Sequence, residues 1–285
     1  MKLFLNKSFV IFIIIAGILN SQSNHPYPPL DLVSIPTSGT MPRGSYTLET
    51  LLTKNGGFVP RLMIGLTDNL SIGMSFGIRK FIGEERAEKN KSTPEVQLKY
   101  RVFEETQSGP AFVIGLDTQG FGPFIDRGER SKLVYDQLTG QYNEIIVVDE
   151  VRRYEQKAWG VYAVFSKNWA ALGNLGLHLG MNKNTFETKD NDSSLNFFFG
   201  IDKELNRSFA FLVEYNAALN DGNLYSASAP DLNGLEIGKG DGYLNAGMRW
   251  SVASNLLLEI NFKDINLDKD DYSNREIKIM YSEQF

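Results

Sequence analysis

Residues 70 to 78 read Leu70-Ser71-Ile72-Gly73-Met74-Ser75-Phe76-Gly77-Ile78, with a large apolar side chain at every second position and serine or glycine between. Successive side chains of an extended chain point to opposite faces, so this period of two describes a strand with one apolar face and one small, polar face. The pattern recurs downstream. Val96, Leu98, Tyr100 and Val102 alternate with Glu95, Gln97, Lys99 and Arg101; Leu175, Leu177, Leu179 and Met181 with Gly176, His178 and Gly180; and Leu258, Ile260 and Phe262 with Glu259, Asn261 and Lys263. Helical spacing fails on all of them. Working outward, strands are expected at 45–53, 58–66, 70–79, 94–103, 110–118, 154–165, 174–182, 194–202, 209–218, 242–251, 256–264 and 275–285, twelve in all.

The connections alternate in length. Short, turn-forming segments such as Thr67-Asp68-Asn69 and Val252 to Asn255 follow the even-numbered strands, and longer ones follow most odd-numbered strands, the largest at about 119–153 and 219–241. Lys54-Asn55-Gly56-Gly57 carries Asn-Gly, the strongest local hairpin signal. Alternation of short turns and long loops along an antiparallel meander is the bacterial outer-membrane pattern, periplasmic turns on one rim and extracellular loops on the other. A soluble sandwich or lipocalin-like barrel also alternates, and periodicity alone does not say which face points outward. Glycine, serine and alanine opposite the apolar stripe suit a crowded lumen. The aromatics Tyr46, Phe103, Trp169, Phe209, Trp250 and Phe285 gather toward the short-turn rim, as an interfacial girdle requires. The fold class is therefore all-β, an up-and-down antiparallel transmembrane barrel of about 12 strands over 44–285.

The start of the chain has the layout of a cleavable signal peptide over 1–23: Lys2 and Lys7, an apolar run from Phe9 to Leu19, and Ser21-Gln22-Ser23 as a small-x-small site. The run is 11 residues long, too short for the roughly 20 of a membrane-spanning helix. Residues 24–43 are read as a periplasmic N-terminal segment. The 285 residues include no cysteine and two histidines, which excludes disulfides, thiol nucleophiles and multi-histidine metal sites. Lys and Arg number 29 against 34 acidic residues with no basic run, so no nucleic-acid partner is expected. No cofactor and no metal are expected either. The partners expected are outer-membrane lipid and lipopolysaccharide, with the oligomeric state left open.

The last strand carries a resemblance. Ile277, Ile279, Tyr281 and the terminal Phe285 share one face, which resembles the signal by which the barrel assembly machinery recognises its substrates. Ile35-Pro36-Thr37-Ser38-Gly39-Thr40-Met41-Pro42-Arg43-Gly44, followed by Asn55-Gly56-Gly57 and the Gly65 to Gly73 stretch, resembles the opening of uncharacterised Gram-negative outer-membrane barrels, loosely the YjbH-like ones. The resemblance implies location and fold and no established activity.

By strand parity the lumen is lined by Arg61, Arg79, Lys99, Arg101, Arg249, Lys263 and Lys278 facing Glu49, Glu95, Asp117, Asp202, Glu214, Glu259 and Glu276, with His178 among them. Balanced charge is expected to pair across the interior and leave a narrow or filled lumen. The function expected is a narrow, porin-like solute channel or a structural barrel; the alternatives are an accessory of envelope polysaccharide export and an outer-membrane lipid hydrolase. No serine motif accompanies His178, which reads as a lone hydrogen-bonding lumenal histidine, and no catalytic residue is assigned. Asp190-Asn191-Asp192 and Asp268-Lys269-Asp270-Asp271 lack a calcium loop's ligand spacing and read as exposed acidic loops. Gly238-Lys239-Gly240-Asp241-Gly242 reads as loop, and 119–153 as an additional hairpin above the membrane.

Overall fold

The computed structural model describes residues 29–285 except 171–172, 233, 240 and 266–274. The segment expected to be a signal peptide at 1–23, His25, Gly240 and the acidic run from Asp268 to Asp271 lie outside the described residues. Twelve strands form one closed antiparallel sheet: β1 (Ser45–Thr53), β2 (Gly57–Gly65), β3 (Leu70–Ser75), β4 (Glu95–Phe103), β5 (Ala111–Asp117), β6 (Gly160–Ala170), β7 (Asn174–Lys183), β8 (Asn196–Glu204), β9 (Phe209–Asn216), β10 (Tyr243–Ala253), β11 (Leu256–Phe262) and β12 (Arg275–Gln284). Each pairs with its neighbours in sequence, and β1 pairs with both β2 and β12, which closes the barrel. The first hairpin turns through Asn55 and Gly56 at φ 57° and 70°, the left-handed pair that an Asn-Gly turn supplies.

Closure decides which face meets lipid. Leu179 is 61% exposed while its neighbour His178 is 4% exposed, and the same contrast runs around the sheet. The outside is an apolar band that includes Leu98, Tyr100, Ile114, Phe197 and Ile260, and the inside is polar. Closing the sheet leaves no unpaired backbone edge in hydrocarbon, which makes such a band compatible with a bilayer. At the short-turn rim Phe209 stacks on Trp250 with centroids 5.9 Å apart, Tyr46 lies 5.1 Å from Phe285, and Phe103, Phe112 and Phe165 form a stacked row. Ile277, Ile279 and Tyr281 lie on the outer face of β12, and the Phe285 N–H donates to the Gly44 carbonyl at 2.8 Å. An apolar position near mid-strand should resist charge most. Leu98→Arg is expected to cost about 2–4 kcal/mol and Val102→Arg, near the rim, about 0–1 kcal/mol. Urea titration of the folded barrel in lipid checks this, and equal costs at the two positions would contradict the depth assignment.

The third strand ends at Ser75 instead of 79, with Ile78–Arg79 a separate short strand, and two larger differences from the sequence expectation follow. The sixth strand runs over Gly160–Ala170 instead of 154–165. The alternation up to Gln156 belongs to a long projecting hairpin, Phe121–Asp136 with Gln141–Gln156. The break falls at Gly160, whose φ is +66° and where a Cβ would lie 2.5 Å from the Lys183 carbonyl oxygen. The base of that hairpin is joined by Tyr225–Ala227, and its outer half stands free of other strands. The second difference is larger. Of the segment expected at 24–43 on the periplasmic side, residues 29–41 lie inside the barrel, and Arg43 is exposed at the periplasmic rim beside Asp68.

Candidate functional site

The N-terminal segment passes from Gly44, at φ +71° on the periplasmic rim, into the lumen and folds on itself there, with Asp31 bridged to Pro36. It has to be buried somewhere, because Leu32, Val33, Ile35 and Met41 have no period that would place them in the barrel wall. Inside, Leu32, Val33 and Ile35 pack with Val113, Trp159, Tyr162, Val164, Phe198 and Leu212. Room comes from glycine in the wall, since a Cβ on Gly200 would lie 2.5 Å from Leu32 Cδ1 and 2.6 Å from Ile35 Cδ1.

Charged wall residues hold the segment by its backbone. The Glu214 carboxylate accepts the Ser34 N–H at 2.9 Å and the Ile35 N–H at 3.0 Å, together with the Ser34 hydroxyl and, at 2.7 Å, the Asn245 amide. Lys278 donates to the Leu32 and Val33 carbonyls at 3.2 and 3.0 Å and pairs with Asp31 at 3.0 Å. Lys99 donates to the carbonyls of Leu30, Thr37 and Gly39, Arg249 to that of Asp31, and the Trp159 indole to that of Ser34. Arg61 pairs with Asp31 at 3.1 Å, with Glu49 at 3.5 Å and with Asp117 at 3.7 Å. Nearer the rim, Ser38 donates its N–H to Ser166 Oγ at 2.8 Å, and Met41 donates to Ser71 Oγ at 3.0 Å.

Cross-lumen pairing therefore accounts for only part of the interior charge. Arg249 bonds Glu259, which also faces Lys278 at 3.5 Å, and Lys263 faces Glu276 at 3.7 Å. Glu214 and Lys99 are instead taken by the N-terminal segment. Arg101 sits at the periplasmic rim on the Asp68 carbonyl, Asn69 and Glu104. Arg79 sits at the extracellular mouth between Glu88 and Asp231, and Glu95 lies near that end with Lys91 and the Tyr154 hydroxyl. His178 is not alone. Its Nδ1 lies 2.7 Å from Ser166 Oγ and its Nε2 2.8 Å from Asp202 Oδ1, on three adjacent strands. That chain has the order of a hydrolytic relay, but Ser38 of the inserted segment covers the serine oxygen.

Above the inserted segment the barrel opens outward into a cavity of about 420 Å³, lined among others by Arg61, Glu49, Arg79, Phe121, Leu232 and Glu276. Beside it the loops are tied together by a buried ion cluster. Arg153 reaches Asp190 at 2.9 Å and also Asp221, and Lys157 reaches Asp190 at 2.6 Å. Asp190 is buried, so the 190–192 stretch is an anchor and not an exposed acidic loop. Glu187 accepts the Tyr154 and Ala158 N–H groups at 2.7 and 2.8 Å; burial pushes its carboxyl above the usual range, and those N–H groups oppose the rise. Among the described residues no group of three His, Asp or Glu side chains is arranged to hold a metal ion.

No protein-family model matches this sequence, and no curated protein does. Among solved structures the chain is similar to the KdgM porin, at 11% identity and a TM-score of 0.41 over 85% of this chain and 99% of that one. It is also similar to the outer membrane protein Omp33 of Acinetobacter baumannii, at 7% identity and a TM-score of 0.41 over 85% and 97% of the two chains. The CymD monoaromatic hydrocarbon channel follows at 9% identity and a TM-score of 0.35, over 86% and 89%. The barrel assignment rests on this chain's own closed strand pairing.

Proposed function

We propose that this protein is an outer-membrane channel for small solutes, without a catalytic role, held shut by its own N-terminal segment. The observation that supports this reading is the insertion of residues 29–41 into the lumen of a membrane-type barrel, beneath a cavity open to the outside. A barrel built only as a scaffold can fill its interior with wall side chains. Here the filling is a separate strand of chain held by noncovalent contacts. Export by a signal peptide over 1–23 and insertion guided by Ile277, Ile279, Tyr281 and Phe285, in contact with lipopolysaccharide outside, belong to the same reading.

The wall charges at mid-depth are near balance, so the path should discriminate weakly between ions. In planar bilayers the wild-type protein is expected to show brief, small and weakly selective openings. A large, sustained and strongly selective wild-type conductance would overturn the reading. The Ser166, His178 and Asp202 chain is the one observation that favours a hydrolase. Ester turnover by the pure protein that is lost in Ser166→Ala would establish that alternative, and none is expected while Ser38 covers the serine.

A further inference from the structure

The inserted segment is held through its main chain along nearly its whole length, in addition to the packing of Leu32, Val33 and Ile35 and the ion pairs of Asp31. Every residue from Leu30 to Gly39 except Pro36 places a backbone N–H or carbonyl against a side chain of the barrel wall or of Trp159, just beyond β6. The wall supplies cations where carbonyls converge, at Lys99, Lys278 and Arg249, and a carboxylate where two consecutive N–H groups point, at Glu214. Such contacts read the spacing of a peptide backbone and ignore most of its side chains. Side chains are read at fewer places: the Asp31 carboxylate by Lys278 and Arg61, the Ser34 hydroxyl by Glu214, and Leu32 and Ile35, three positions apart, by the apolar recess over the bare backbone of Gly200.

A stopper would be held by the apolar packing and side-chain contacts alone, and the run of main-chain contacts is additional to them. From the main-chain character of the contacts we infer that the lumen is a binding site for short peptides carrying two apolar residues three positions apart, and that the N-terminal segment occupies it in cis. The inference rests on the channel reading and names the solute class of that channel. The cavity above Arg61 is the side from which a peptide would reach the same groups once the segment leaves.

The test uses the full-length chain carrying Leu32→Asp and Ile35→Asp, which places two carboxylates in the apolar recess and leaves every wall residue in place. Heat-modifiable gel migration checks that this barrel is folded. Titration calorimetry then compares three probes: the decapeptide of residues 30–39, an unrelated decapeptide sharing only Asp31 and the two apolar positions, and maltotriose. Both peptides are expected to bind at least roughly tenfold more tightly than the sugar, and Lys278→Ala in the same background should weaken both by about tenfold. Binding of the native decapeptide alone would make the segment a dedicated stopper and overturn the inference, as would equal binding of the sugar or no binding at all. Conductance of the same variant is recorded separately. A barrel that conducts and ignores peptides overturns only the peptide inference, and one that binds peptides without conducting overturns only the channel.

Discussion

Glu214→Ala is expected to open the barrel, turning brief conductance events into sustained ones in planar bilayers. The Glu214 carboxylate satisfies two consecutive backbone N–H groups and the hydroxyl of Ser34, all within the lumen. Removing it leaves those donors without an acceptor, at about 1–3 kcal/mol for each buried group. It also leaves the Asn245 amide with only the longer contact to Ser34 Oγ at 3.3 Å. The segment, unlike the wall, has an alternative: it can leave the lumen and hydrate its donors in water. The loss therefore falls on the docking equilibrium, and two lost donors at these magnitudes shift that equilibrium by a factor of ten or more, each 1.4 kcal/mol counting roughly tenfold. Glu214→Gln keeps one carbonyl oxygen as acceptor and should lie between the two. Conductance unchanged in Glu214→Ala would show that the segment does not gate the barrel.

Arg153→Ala is expected to cost about 3–5 kcal/mol, the range for breaking a buried ion pair by removing one partner. Arg153 is fully buried, and besides Asp190 and Asp221 it donates to the carbonyls of Tyr154 and Glu155 at 3.0 and 2.9 Å. Without it Asp190 keeps Lys157, but among the described residues Asp221 keeps only the Tyr243 hydroxyl at 2.9 Å as a side-chain partner. The damage is local, because the cluster ties the projecting hairpin to the loops after β7 and β9. Limited proteolysis should cut the 121–156 hairpin at least several-fold faster while the barrel strands stay protected. A planar guanidinium serves four groups here, so Arg153→Lys should restore little. Wild-type protease resistance in Arg153→Ala would refute the role of this cluster.

Much of the fold was legible because its cause is local. The alternation around Leu98 or Leu179 follows from side chains pointing to opposite faces of a strand, and the turn at Asn55-Gly56 follows from which residues tolerate positive φ. The start of the sixth strand is not legible because the hairpin and the barrel strand that follows it alternate alike, and the break at Gly160 is imposed by the backbone of β7. His178 looked solitary because Ser166 and Asp202 are 12 and 24 residues away and meet it only across neighbouring strands. Parity places Arg79 and Arg101 on the lumenal face of the sheet and says nothing of height along the barrel axis.

The sequence by itself determined a closed, twelve-stranded membrane barrel with an aromatic rim, since those properties are repeated in every strand and each repeat is readable within about ten residues. Only the tertiary structure decided what fills the barrel. Residues 29–43 have no period, and their apolar side chains acquire a place to be buried only after β1 has paired with β12. The contact between Ser34 and Glu214 spans 180 residues of chain. Such a pairing is set by which wall groups happen to stand at the same depth once the barrel closes, and no local pattern encodes depth.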